Sequence, residues 1–300
     1  MSLTDLTGQL VNGLVISVFY ALTALGLSLI FGVLRIVNFA HGELYMMGGF
    51  AYYVAASVAG IPPVAAVLAA SAAVFLLGAL LERLLIAPIH DGKVDRPDEY
   101  AIMITFALSI LLQSLMLSVF GPWSKRPEPI FRGRVELGTL IISGDRLAAA
   151  VVGALVIAGT ILVLQYTRAG KAVRAVSQDR EAAEVLGVDV RLVGMLAFGI
   201  GAALAGAAGA LMGPVFNVTP TMGIIPVIKA YVIVVLGGLG SMRGAILGAL
   251  ILGEVEVLAM VLIPDTTRAL AYKDAYGLAL LVLVLLFRPQ GLFGTAGRRA

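Results

Sequence analysis

A succession of long apolar runs, divided by short polar connections, is what most limits the shape this chain can take. The runs lie at about 10–34, 44–59, 63–87, 100–121, 147–166 and 192–213, with a compound stretch at 223–263 and a short one at 275–287. A bilayer core takes about 20 apolar residues per helix. The compound stretch is interrupted at "LGGLGSMRG" and divides into 226–237 and 241–263. The sequence therefore predicts an all-α membrane protein, a polytopic bundle of eight or nine transmembrane helices with broken or re-entrant segments. Whether 226–237 crosses fully is the open point. Composition agrees: 60% of residues are hydrophobic and 13% charged, where a soluble domain carries about 25% charged residues. No linker, low-complexity tract, visible repeat or soluble domain divides residues 1–300, which are expected to form one membrane domain.

Several chemistries are excluded or made improbable by what is missing. The chain has no Cys and two His, so thiol chemistry is out and no metal site is expected. No nucleophile–base pair stands out, and the chain is not expected to be an enzyme. A G-x-x-x-x-G-K-[ST] phosphate loop is absent as well, since the Gly-Lys pairs at 92–93 and 170–171 lack both the earlier Gly and the following Ser or Thr. No feature points to nucleic acid; membrane lipid is the expected surrounding. The first residues, "MSLTDLTGQLVNG", have no basic region, and the apolar run after them is too long for a signal-peptide core, so that run is expected to remain in the mature protein.

Nine crossings with the N-terminus outside place thirteen Lys and Arg on the inner side and seven on the outer, with Lys229 inside the membrane. Inner loops carry the excess of Lys and Arg, so the expectation is N-terminus outside, C-terminus cytoplasmic. The connection 122–146 dissents, but its three prolines and the single Trp suggest a folded outer cap.

Three stretches and a set of charges are candidates for function. In the inner connection 167–191, "DREAAEVLG" (179–187) has the form of a short helix, with Ser177 or Asp179 as N-cap and Gly187 at the left-handed position after the C-cap. Arg180 and Glu184 can pair on one face, while Ala182, Val185 and Leu186 fall on another. It reads either as a solvated connection or as a docking element. In "GLSLIFGVLRIVNFAHGELYMMGGF" (26–50), Asn38, His41 and Glu43 interrupt an apolar run. This is either a short inner turn with Asn38 capping the next helix, or a broken helix whose open backbone lines a path at membrane depth. In "VLGGLGSMRGAILGALILGEVE" (235–256), Gly240, Gly244 and Gly248 suggest one helix face for close packing. The run 199–213 reads as packing surface too. Among intramembrane charges, Lys229, Glu254 and Glu256 are candidates by default. Folding 226–237 against 241–263 around Gly240 would bring Lys229 and Glu254 to a similar depth as an ion pair.

The wording of these stretches carries a resemblance over about residues 20–294. Glu181-Ala182-Ala183 followed by Gly187 is similar to the coupling loop of ABC-importer permeases. "NFAHGE", with Asn38, His41, Gly42 and Glu43, resembles the H-type permease of branched-chain amino-acid ABC transporters. The break at Gly237 and Gly238 matches that family's "VLGGxGS" signature, and "FRPQGLFG" (287–294) fits as well. The resemblance implies alternating access in a bacterial or archaeal cytoplasmic membrane. Arg180, Glu181, Ala182, Ala183, Glu184 and Gly187 would couple to an ATPase; Asn38, His41, Gly42, Glu43, Gly237 and Gly238 would border the path. It implies no cofactor in this chain, because ATP would be bound by partner subunits. Those partners would be a second homologous permease, two cytosolic ATPases and an extracytoplasmic binding protein. Two rival readings are an ion-driven secondary carrier resting on Lys229, Glu254 and Glu256, and the same machine carrying urea, amides or other amino acids.

Overall fold

Each apolar run becomes a helix, and local signals set where several of them start. In the computed structural model, which describes residues 3–90, 92, 94–137, 140–262 and 272–294, helix α1 spans Leu3–Leu34. Helix α2 (His41–Tyr52) continues through a π-helical turn, Tyr53–Val58. Helices α3 (Pro63–Leu81) and α5 (Pro97–Phe120) each begin on a proline, whose missing N–H is not needed in a first turn. A second π-helical turn, Glu82–Ile86, and the short α4, Ala87–His90, extend α3. A two-stranded antiparallel hairpin, β1 (Arg134–Leu137) and β2 (Leu140–Ser143), precedes α6 (Gly144–Tyr166). Then come α7 (Arg168–Gln178), α8 (Arg180–Val185) and α9 (Val190–Phe216). Thr167, Asp179 and Asp189 cap these three with side-chain oxygens. The chain continues with α10 (Ile224–Gly237), α11 (Met242–Leu262) and α12 (Lys273–Phe287).

Among the described residues, six helices are long and apolar enough to cross a membrane: Thr7–Leu34, Pro63–Ile89, Pro97–Phe120, Gly144–Tyr166, Val190–Phe216 and Met242–Val261. The other apolar runs form shorter helices. The 14 residues of α10 rise about 21 Å at 1.5 Å per residue, less than the ~30 Å of a hydrocarbon core. The protein is a polytopic all-α membrane protein. Lys93, Arg268, Arg298 and Arg299, used above in the charge count, lie outside the described residues.

Two helices form the centre. In α1 and α9, 72% of the most apolar window is buried, against 22% in α5 and α6. The small-residue run of α9 explains its position, since it lets backbones meet. A Cβ on Gly48 of α2 would collide with the Gly206 backbone, and one on Gly209 with the Tyr45 carbonyl. That stretch is the packing surface its composition suggested.

Helix directions follow from these contacts. Gly194, at the start of α9, lies against Leu34 at the end of α1, while Gly213 near the end of α9 approaches Val218 and Pro127. α11 runs antiparallel to α1, with Glu254 beside Gly13 and Gly240 beside Gly32. Arg35 and Arg243 therefore lie at one end of the bundle. The segment 121–131 lies at the other and is ordered there by its own bonds. Lys125 pairs with Val218 as an isolated bridge, Tyr52 donates to the Glu128 carbonyl at 2.9 Å, and Asp145 accepts from the Ile130 N–H at 2.7 Å. The cap expected from its prolines is folded.

Candidate functional site

The break between α1 and α2 is deeper than a turn at the membrane surface. Arg35 adopts a left-handed φ of 54° and ends α1. The next helix starts at His41, whose Nε2 donates to the Thr23 carbonyl at 2.9 Å, about a third of the way back along α1. From Thr23 to Leu34 an α-helix rises about 16 Å, a distance that six extended residues can retrace. Asn38 does not cap α2, contrary to the turn reading. Its Oδ1 accepts from the Ala40 N–H at 3.0 Å, and the helix begins one residue later without a side-chain cap. The break is too long for a tight turn, so the cap position falls on Ala40.

Neighbouring helices satisfy the open backbone, as a bilayer interior requires. Thr105 of α5 accepts from the Phe39 N–H at 3.3 Å. Tyr231 of α10 donates to the Asn38 carbonyl at 2.7 Å. Asn38, His41 and Glu43 are all buried, yet Asn38 Nδ2, His41 Nδ1 and Glu43 Oε2 have no hydrogen-bond partner among the described residues. The starts of α2 and α10 meet here. A Cβ on Gly223 would strike the Gly42 carbonyl, and one on Gly42 would crowd the Gly223 carbonyl. Only glycine allows this approach.

The polar helix is at the end of the bundle that carries Arg35 and Arg243. Asp179 Oδ1 accepts from the Ala182 N–H at 3.0 Å. At the other end, the Gly187 N–H bonds the Glu184 carbonyl at 2.9 Å and the Val188 N–H bonds that of Ala183 at 3.0 Å, with Gly187 at φ 84°. That is the paired closure of a Schellman motif. Ala183 is buried among Val173, Val176 and Val193 and anchors the helix. Glu181, Ala182 and Glu184 are exposed, and Val185 and Leu186 stand out at 87% and 83% exposure.

The charge pairing expected from sequence is corrected. Lys229 pairs with Glu256 and with Asp274 (2.8 Å), not with Glu254. Lys229 holds Glu256 Oε1; Tyr20 donates to Glu256 Oε2 at 2.8 Å, and Lys273 lies 3.7 Å from that same Oε2. Glu254 is directed at Gly13 instead, and its Oε2 has no hydrogen-bond partner among the described residues. Two residues along a helix rotate the side chain by about 200°, so Glu254 and Glu256 cannot share a neighbour. A second correction concerns Gly240, which is outside α11 at φ 78° and packs on Gly32. The seam between α10 and α11 is made instead by Gly237 against Gly244 and by Gly248 against Ile233. Past α12 the tail returns to this seam. The Leu292 and Phe293 N–H groups bond the Leu236 and Gly237 carbonyls at 2.8 and 3.0 Å, closing the end of α10.

Sequence reasoning missed Thr105, Tyr231, Tyr20, Asp274 and Gly223. Each is an ordinary residue of a helix or loop far along the chain, and only the fold gives it a partner. Among the described residues no group of three or more His, Cys, Asp and Glu could hold a metal ion.

Buried, protein-satisfied helix breaks inside a polytopic bundle, together with a capped polar helix at one end, define the class as a membrane permease. The family model described as branched-chain amino acid transport system, permease component, matches residues 9–287, and the chain belongs to that family. It is 34% identical to the high-affinity branched-chain amino acid transport system permease protein BraD of Pseudomonas aeruginosa, over 95% of both chains. It is 32% identical to LivH of Escherichia coli K12, the permease protein of the same description, over 95% of this chain and 94% of that one. LivM of that organism, also a permease protein of such a system, is 26% identical over 92% of this chain and 68% of its own length. No solved structure gives a significant match.

Proposed function

We propose that this chain is one of two homologous permease subunits of an ATP-driven importer for branched-chain amino acids. The printed roles of BraD and LivH support the cargo, and the likeness to LivM supports a second permease. The observation that carries the coupling role is α8. It is rigidly capped at both ends, anchored by Ala183, and presents Val185 and Leu186 outward. An apolar pair so placed on a polar connection suits a cleft in another protein.

In this reading two cytosolic ATPases supply the energy, since the chain has no phosphate loop of its own. Closure of the ATPases pushes the helix carrying Arg180, Glu181, Ala182, Ala183, Glu184 and Gly187. The movement passes to the bundle through α7 and α9. The path runs beside the unwound segment at Asn38, His41, Gly42 and Glu43, where the unpartnered Asn38 Nδ2, His41 Nδ1 and Glu43 Oε2 are available to polar cargo once the helices part. Gly237 and Gly238 form the turn at its inner end. An extracytoplasmic binding protein delivers cargo to the 122–146 connection and the 214–225 loop. The excess of Lys and Arg at the α8 end supports a cytoplasmic C-terminus and an N-terminus outside.

The test is to tag the chain in its own host, purify it in mild detergent and identify its companions, then measure leucine uptake. A second permease and two phosphate-loop ATPases, with uptake lost in Gly187→Pro, support the reading. A lone chain whose uptake follows a protonophore and ignores ATP overturns it.

A further inference from the structure

A second feature at the α8 end has no part in the transport reading. A groove of about 420 Å³ opens between α1, α6, α7 and α11. Its floor is apolar, with Leu29, Val33, Ile161 and Ile246, and its rim holds Arg174 and Arg243. No Asp or Glu lines it among the described residues. Both arginines are exposed. Arg174 gives two N–H groups to the carbonyls of Leu164 and Gln165 at the end of α6. A guanidinium has five N–H donors, so Arg174 retains three for a ligand.

Two further observations point to an amphiphile. Ser28 is fully buried, lines the groove, and its Oγ has no hydrogen-bond partner among the described residues. The helices flanking the groove show lipid-type surfaces, with Leu162 and Leu247 exposed beside it. The groove thus offers two cations at the membrane boundary, a hydroxyl deeper in, and an apolar floor reaching into the span.

We propose that this groove holds one anionic phospholipid. Its phosphate is placed between Arg174 and Arg243, its ester region within reach of Ser28, and an acyl chain along Leu29 and Ile161. Basic pockets between transmembrane helices take anionic headgroups on this principle. A free anion would satisfy the arginines but leave the apolar floor open to water. The proposal requires only that the chain sits in a membrane, so it stands or falls independently of the transport cargo.

The experiment is native mass spectrometry of the full chain in mild detergent, with phosphatidylglycerol or phosphatidylcholine added. One phosphatidylglycerol is expected to be retained about tenfold more strongly than phosphatidylcholine, and Arg243→Gln to weaken retention about fivefold. Arg174→Gln with Arg243→Gln would weaken it roughly 25-fold if the two act alike. Because Arg174 also closes α6, the single Arg243→Gln variant, which leaves those bonds intact, keeps the test valid if the double variant misfolds. Ser28→Leu, filling the groove, should exclude the lipid while the chain stays monodisperse. Equal retention of the two lipids, or unchanged retention in Arg243→Gln, overturns the proposal. So does full competition by inorganic phosphate, which would mean a simple anion site. Loss of the lipid when the whole transporter assembles, with position 243 shielded, overturns it too, by making a partner subunit the occupant.

Discussion

The chain has two polar interruptions, and they are solved in opposite ways. At 38–43 the polar residues turn inward. Asn38 and His41 are fully buried, and side chains from α5, α10 and the α1 backbone bind the open segment. At 179–187 the polar residues face solvent, the helix satisfies itself through its own caps, and the apolar Val185 and Leu186 are left outside. The first depends on the rest of the molecule for its hydrogen bonds, whereas the second closes its own and leans on its neighbours only through the buried Ala183. An element that closes its own hydrogen bonds and leaves apolar residues exposed is suited to a partner, whereas one whose bonds come from distant helices is committed to its own fold.

That contrast can be broken or sharpened by substitution, beginning with the buried side. Lys229→Met should have the largest effect, because it leaves the fully buried Glu256 carboxylate with the neutral Tyr20 hydroxyl and, as its only cation among the described residues, the more distant Lys273. Breaking such a pair costs about 3–5 kcal/mol. Thermal unfolding followed by size-exclusion should show a large drop, largely reversed in Lys229→Met with Glu256→Gln; no drop would mean that the cluster is not structural. Gly223→Val comes next. It drives a side chain into the Gly42 backbone, and overpacking of this kind costs about 1–3 kcal/mol or more. A variant with normal yield and melting temperature would show that the starts of α2 and α10 can separate freely.

Thr105→Val should cost about 1 kcal/mol, since it removes the buried hydroxyl that accepts from the part-buried Phe39 N–H. Removing an exposed hydroxyl of the same helix, in Ser114→Ala, should be nearly silent, and equal effects would refute the assignment. The smallest effect on stability is expected at α8. Val185→Ser with Leu186→Ser should stay within about 0.5 kcal/mol while ATPase association and leucine uptake fall at least tenfold. A loss of stability there would erase the contrast between the two regions.

Legibility of the sequence followed the range of the forces involved. The caps of α8 were readable because Asp179 and Gly187 act within a few residues of themselves. The packing role of 199–213 was readable because small residues have one main use in a helix between helices. Lys229 was assigned the wrong partner because depth alone was considered, and the rotation between Glu254 and Glu256 decides contact. Gly240 was placed on a helix face because its spacing from Gly244 and Gly248 is regular, although the helix starts after it. The bonds from Leu292 and Phe293 to α10 join residues more than fifty positions apart, and no local pattern announces them.

From its sequence alone, the protein was bound to be a polytopic helical bundle. Apolar runs of bilayer length must close their backbone bonds internally, and a helix does so without reference to anything distant. The motifs at 38–43, 181–187 and 237–238 were visible for the same reason, being short and contiguous. Only the tertiary structure decided how deep the break lies, which residues satisfy it, and which acid receives Lys229. Those outcomes depend on the relative rotation and tilt of helices far apart in the chain, which a linear spacing does not encode.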